Sequence, residues 1–109
     1  MKIAFAVEED KGLESTISHR FGRAPYFIIV EIENNEIKNT KTIENPGSKA
    51  ASGAAIKAVQ KLVDENVEMV VAGAFGPNAA TALEEMKIKY FQLHGTTIRE
   101  ALEQVVKND

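Results

Sequence analysis

Two asparagines, Asn34 and Asn35, separate two runs of strand-forming residues, and this short link constrains the topology more than any other feature. The run before it, "YFIIVEI" (Tyr26–Ile32), is β-branched or aromatic at six of its seven positions, and the run after it, "EIKNTKTIE" (Glu36–Glu44), alternates weakly. Asparagine tolerates positive φ, so the pair suits a two-residue hairpin turn. A parallel crossover needs a dozen or more residues, so these two strands must be antiparallel. The second carries lysines, as exposed edge strands often do.

The remaining elements follow from apolar periodicity. "KIAFAV" (Lys2–Val7), "EMVVAG" (Glu68–Gly73) and "KYFQLH" (Lys89–His94) read as further strands. A helix follows Gly53 and runs to about Asn66, with Ile56, Val59, Leu62 and Val63 as its buried stripe. Pro77 suits the first turn of another, with Ala80, Leu83 and Met86 as its stripe. Thr97 and Glu100 have capping-box spacing ahead of a helix whose apolar face is Ile98, Ala101, Leu102, Val105 and Val106. Residues 8–24 are too polar and irregular for a regular element. The order is β-β-β-α-β-α-β-α, and its βαβα end favours parallel strands joined by right-handed crossovers. The expectation is a single α/β domain over residues 1–109: a mixed five-stranded sheet, strand 2 antiparallel, flanked by helices.

In that arrangement strands 1, 3, 4 and 5 end at one edge and strand 2 begins there. Residues 8–25, 45–53, 73–78 and 94–97 therefore gather at the edge where open α/β sheets bind ligands. His19, Arg20, Arg23, Asn45, Gly53, Gly76, Asn78 and His94 fall in or beside these connections. Imidazole ligates metals, and guanidinium groups bind carboxylate or phosphate through paired N–H donors. Equally, His19 closes a turn and the arginines are solvated. "AGAFGPNAA" (Ala72–Ala80) places free N–H groups at a helix start, which suits an anion, although it is neither GxGxxG nor a P-loop. "NPGSKAASG" (Asn45–Gly53) reads as a loop, and His94 as a packing residue or a secondary ligand.

Composition narrows the function. A net charge of −3 argues against nucleic acid as a partner. With no cysteine there is no thiolate zinc site and no Cys-ligated cluster. No apolar run reaches the roughly 20 residues that span a bilayer, and the start of the chain lacks a secretory apolar core, so a cytoplasmic protein without a membrane partner is expected. Glu8, Glu9 and Asp10 are consecutive rather than convergent, a poor basis for a two-metal hydrolase, and no G-x-S-x-G occurs. The expectation is a binding protein, not an enzyme.

The pieces "SHRFGRAPYFIIV", "ENP" followed by "SGAA", "VEMVVAGAFGPNAATAL" and "TTIREAL" together resemble the dinitrogenase iron–molybdenum cofactor-binding family, which includes NifX-like proteins, in order and over nearly the whole chain. The resemblance implies a ribonuclease-H-like motif without ribonuclease activity. It also implies that an iron–sulfur or iron–molybdenum-type cluster, or its precursor, is carried between donor and acceptor proteins during cofactor assembly. The family's histidine falls on His19, with Arg20 inserted before Phe21-Gly22, so His19 is the expected metal ligand. Arg20, Arg23, Asn45, Gly53, Gly76 and Asn78 are expected to hold the anionic cargo. The competing expectation is a small-molecule or phosphate-binding module that kept the fold without metal.

Overall fold

The computed structural model describes residues 1–107, which build one five-stranded sheet in the order β3-β2-β1-β4-β5. Central β1 (Lys2–Val7) lies between β2 (Tyr26–Glu33) and β4 (Met69–Ala72), with β3 (Glu36–Glu44) and β5 (Lys89–Gln92) at the edges. The β1–β4 and β4–β5 pairs are parallel, whereas β2 runs antiparallel to both β1 and β3. Asn34 and Asn35 both adopt left-handed φ, 54° and 63°, which matches the strand twist in a two-residue turn. The mixed sheet is the one expected from the sequence.

Alternation along β1 divides the core. Ala4 and Ala6 face α1 (Ala54–Asp64) and α2 (Pro77–Glu85), together with Phe27, Ile29 and Val70. Ile3, Phe5 and Val7 face α3 (Ile98–Lys107), together with Ile28, Val30 and Val71. Phe5 and Phe27 are fully buried, and such a side chain contributes about 1.5–3 kcal/mol by leaving water. At the start of α3 the Thr97 N–H donates to Glu100 (3.0 Å) and the Glu100 N–H donates to Thr97 Oγ1 (3.3 Å), closing the capping box.

Several boundaries and faces differ from the sequence expectation. α1 stops at Asp64, and Asn66 takes φ 60°, which turns the chain towards β4. β4 and β5 are shorter than expected, leaving Gly73 and His94 in the loops beyond them. α1 buries Ala58, Val59 and Leu62, while Ile56 and Val63 remain exposed; α2 buries Ala79 and Leu83, while Met86 remains exposed. Two helices share one sheet face, so each buries a narrow stripe and its flank turns towards the cleft between them. The 8–25 connection is also more ordered than its polarity implies. It forms a short 3-10 turn at Gly12–Glu14 and bridges Val7–Ile17 and Thr16–Thr97, and it buries Ile17, Phe21 and Ala24. Among the described residues, no helix is long and apolar enough to cross a membrane.

Candidate functional site

Ser18 ties the loop ahead of β2 to the sheet. Its N–H donates to the Ala6 carbonyl (2.7 Å), and its own carbonyl accepts from the Gly73 N–H (2.8 Å). Its hydroxyl donates to the Glu8 carboxylate and accepts from the Arg20 N–H at 3.2 Å. The Phe21 N–H reaches the Ala74 carbonyl at 3.2 Å, so residues 18–21 lie along the end of β4. Beneath them Phe21 packs against Phe27 and Phe75, with ring centroids 5.5 and 5.3 Å apart, and Phe75 against Tyr90 at 5.1 Å.

This path brings His19 to His94, their ring centroids 5.1 Å apart and planes tilted by 33°. Both histidines are exposed. Gly73 makes the approach possible: a Cβ there would lie 2.7 Å from His19 Cα and 3.1 Å from His94 Cβ. Since carbon atoms pack best at about 3.5–4.0 Å, any side chain at residue 73 would push the histidines apart. The β4–β5 register, Ala72 opposite Gln92, delivers His94 to this level.

The second loop is held by the residues expected to bind ligand. Asn45 is buried, and its amide nitrogen donates to the carbonyls of Phe21 (3.2 Å), Gly22 (3.2 Å) and Ala24 (2.9 Å). Its Oδ1 accepts from the Gly47 N–H at 2.9 Å. Those bonds make the side chain a clamp between the two loops, and Asn45 also lines the hollow beside them. Arg23 is likewise engaged, donating to the carbonyls of Ala50 (2.6 Å) and Gly47 (3.3 Å). Gly47 is confined too, since a Cβ there would meet the Gly22 carbonyl oxygen at 2.6 Å. A hollow of about 640 Å³ on the β3 side of this loop is lined by Pro25, Ile43, Pro46, Lys49 and Lys61, with neither histidine in its wall.

The same strand-end edge of the sheet carries Arg20 and two helix starts. Arg20 is exposed and makes no side-chain hydrogen bond or ion pair among the described residues. Gly53 caps α1 in a left-handed conformation, φ 67°, and Gly76 caps α2; neither start has a side-chain cap. Pro77 has no N–H, so Asn78 and Ala79 carry the first free N–H groups of α2. The acids diverge: Glu8 binds Ser18, Glu9 pairs with Lys11 at 3.5 Å, and Asp10 accepts from Thr42 at 2.9 Å.

The histidine, the FG turn and the GPNA helix start thus meet at one sheet edge. The sequence model of the dinitrogenase iron-molybdenum cofactor family matches residues 1–108. The chain belongs to that family. An uncharacterized protein of Methanocaldococcus jannaschii, MJ0580, is 30% identical over 102 residues, covering 94% of this chain and 82% of the relative. The apo form of the orange protein from Desulfovibrio gigas superposes with a TM-score of 0.87 at 30% identity, over 98% of this chain and 88% of that one. The Thermotoga protein TM1290 superposes with a TM-score of 0.79 at 33% identity, over 97% and 87%. The iron-molybdenum family is named for a cofactor, not for a reaction.

Sequence reasoning missed the clamp roles of Asn45 and Arg23, the spacer role of Gly73 and the pairing of His94 with His19. A glycine directly after a buried strand was the available signal for close approach. Two side chains have shifted titration. Hydrogen bonding from Lys41 (2.9 Å) holds Glu65 below its ordinary 4.5 against the opposing effect of burial. The Glu84 carboxylate, accepting from the Tyr90 hydroxyl at 2.7 Å, raises that phenol above 10.0.

Proposed function

We propose that the chain is a non-catalytic carrier in the cytoplasm, which holds an iron–sulfur cluster of the iron–molybdenum type, or its precursor, and passes it between donor and acceptor proteins. The observation that carries this reading is the His19–His94 pair, 5.1 Å apart at the strand-end edge of a chain in this family. Among the described residues no set of three or more His, Cys, Asp or Glu side chains is placed to hold a metal ion. The cargo therefore brings most of its own ligands, and the protein adds two imidazoles as exchangeable ones. An electron-transfer protein, by contrast, retains its cluster behind several thiolates. Arg20 supplies a positive charge, and the free N–H groups at Asn78 and Ala79 face a helix dipole that favours anions. Gly53 and Gly76 leave both helix starts open, while Asn45 and Arg23 fix the loops that frame them.

Anaerobic reconstitution with iron and sulfide, followed by a preassembled iron–molybdenum cluster, tests this reading. The wild type retains metal through gel filtration, and His19→Ala and His94→Ala each lose most of it. Equal retention by both variants would contradict the proposal. The uncapped starts of α1 and α2 favour a second reading, a phosphate-binding module that needs neither histidine. That module predicts phosphate binding unchanged in the doubly substituted protein and no cluster retention in the wild type.

A further inference from the structure

Three of the large apolar side chains left in solvent, Ile56, Val63 and Met86, line one hollow between α1 and α2, with a volume of about 410 Å³. They are 44%, 41% and 54% exposed. Exposed apolar residues scattered singly mean little, whereas a contiguous patch marks an interaction surface. The fold does not need these three, because Ala58, Val59, Leu62, Ala79 and Leu83 already cover the sheet. Nor does helix formation, since β-branched Ile and Val propagate a helix less well than Ala, Lys or Glu.

The ionisable side chains lining this hollow, Asp64 and Glu85, are both acidic, and neither has an ion-pair partner among the described residues. Lys61 is turned to Glu65 at 3.6 Å. A second copy docked across a two-fold axis would bring four carboxylates together around one apolar seam. An amphipathic helix with apolar residues at i, i+3 or i+4 and i+7, flanked by lysine or arginine, matches both the floor and the rim. We propose that the α1–α2 groove docks such a basic amphipathic helix of a partner protein. The inference is independent of the cargo reading, although α1 and α2 both begin at the histidine edge, so a docked partner lies beside it.

The test titrates a synthetic leucine–lysine amphipathic helix into the isotopically labelled full chain, with a leucine–glutamate helix of identical pattern as control. Expected are NMR shift changes confined to α1 and α2 for the lysine peptide. Ile56→Gln with Met86→Gln weakens that binding at least about tenfold, a loss of roughly 1.4 kcal/mol. Asp64→Lys with Glu85→Lys exchanges the preference, so that the glutamate peptide binds and the lysine peptide does not. If the apolar double variant fails to fold, this exchange alone decides. Shift changes mapping elsewhere, or a preference indifferent to charge reversal, would overturn the proposal. So would a wild-type dimer in sedimentation that the Gln variants dissolve, since it would assign the groove to a second copy.

Discussion

Asn45→Ala separates a clamp from a ligand contact. The Asn45 side chain gives its two N–H donors to three carbonyls of residues 21, 22 and 24 and accepts one N–H from Gly47. Three donor–acceptor pairings are therefore lost with the amide, and a net worth of about 0.5–1.5 kcal/mol each sets the scale. Gly47 is buried, so its orphaned N–H falls towards the costly end. The expected loss is about 2–4 kcal/mol, which lowers the melting temperature of a domain this size by roughly 10–20 °C. Asn45→Asp keeps the shape and the acceptor for Gly47 but turns a carboxylate towards three carbonyl oxygens. It is destabilised near neutral pH and recovers as acid protonates the new group and restores a donor. Urea unfolding of both variants across pH measures this. Stability within about 0.5 kcal/mol of wild type for Asn45→Ala would refute the clamp and return Asn45 to the ligand-facing surface.

Gly73→Ala places a Cβ against the His19 backbone, 2.7 Å from its Cα, so it costs about 1–3 kcal/mol in urea unfolding and separates the two imidazoles in NMR. Unchanged stability with the rings still in contact would show that Gly73 is not the spacer. Glu65→Gln removes an acid held below its ordinary 4.5 by Lys41, and a depressed acid stabilises the fold above its unfolded value and stops doing so as pH falls through its folded one. The variant is therefore less stable near neutral pH by up to about 1 kcal/mol, and the difference closes well below the ordinary value. A deficit that persists in strong acid would place the cause elsewhere.

Much of the fold was legible because its determinants are local. The Asn34-Asn35 turn needs only two residues that accept positive φ, and the Thr97–Glu100 box lies within one helical turn. The turn, with apolar runs of strand length and the crossover rule for the βαβα end, sufficed for the direction of every strand and for the edge where the connections meet. The faces of α1 and α2 were not legible, because how wide a stripe the sheet takes depends on the neighbouring helix. Ile56, Val63 and Met86 fit a helical stripe and still point into a cleft. The site depended on longer reach still. Asn45 meets carbonyls more than twenty residues away in sequence, and Arg23 meets Ala50 across a similar span. Their residue types recommend them equally as ligand contacts or as clamps, and only the three-dimensional path of the backbone separates the two.

The central claim is that two imidazoles meet the cargo, and pulsed EPR on the cluster-loaded protein with 15N-labelled histidine addresses it most directly. The account predicts histidine nitrogen coupling to the cluster spins that falls in His19→Ala, falls in His94→Ala, and vanishes in the double variant together with the bound metal. A double variant that retained a full cluster, or a wild-type cluster with no histidine coupling, would contradict it.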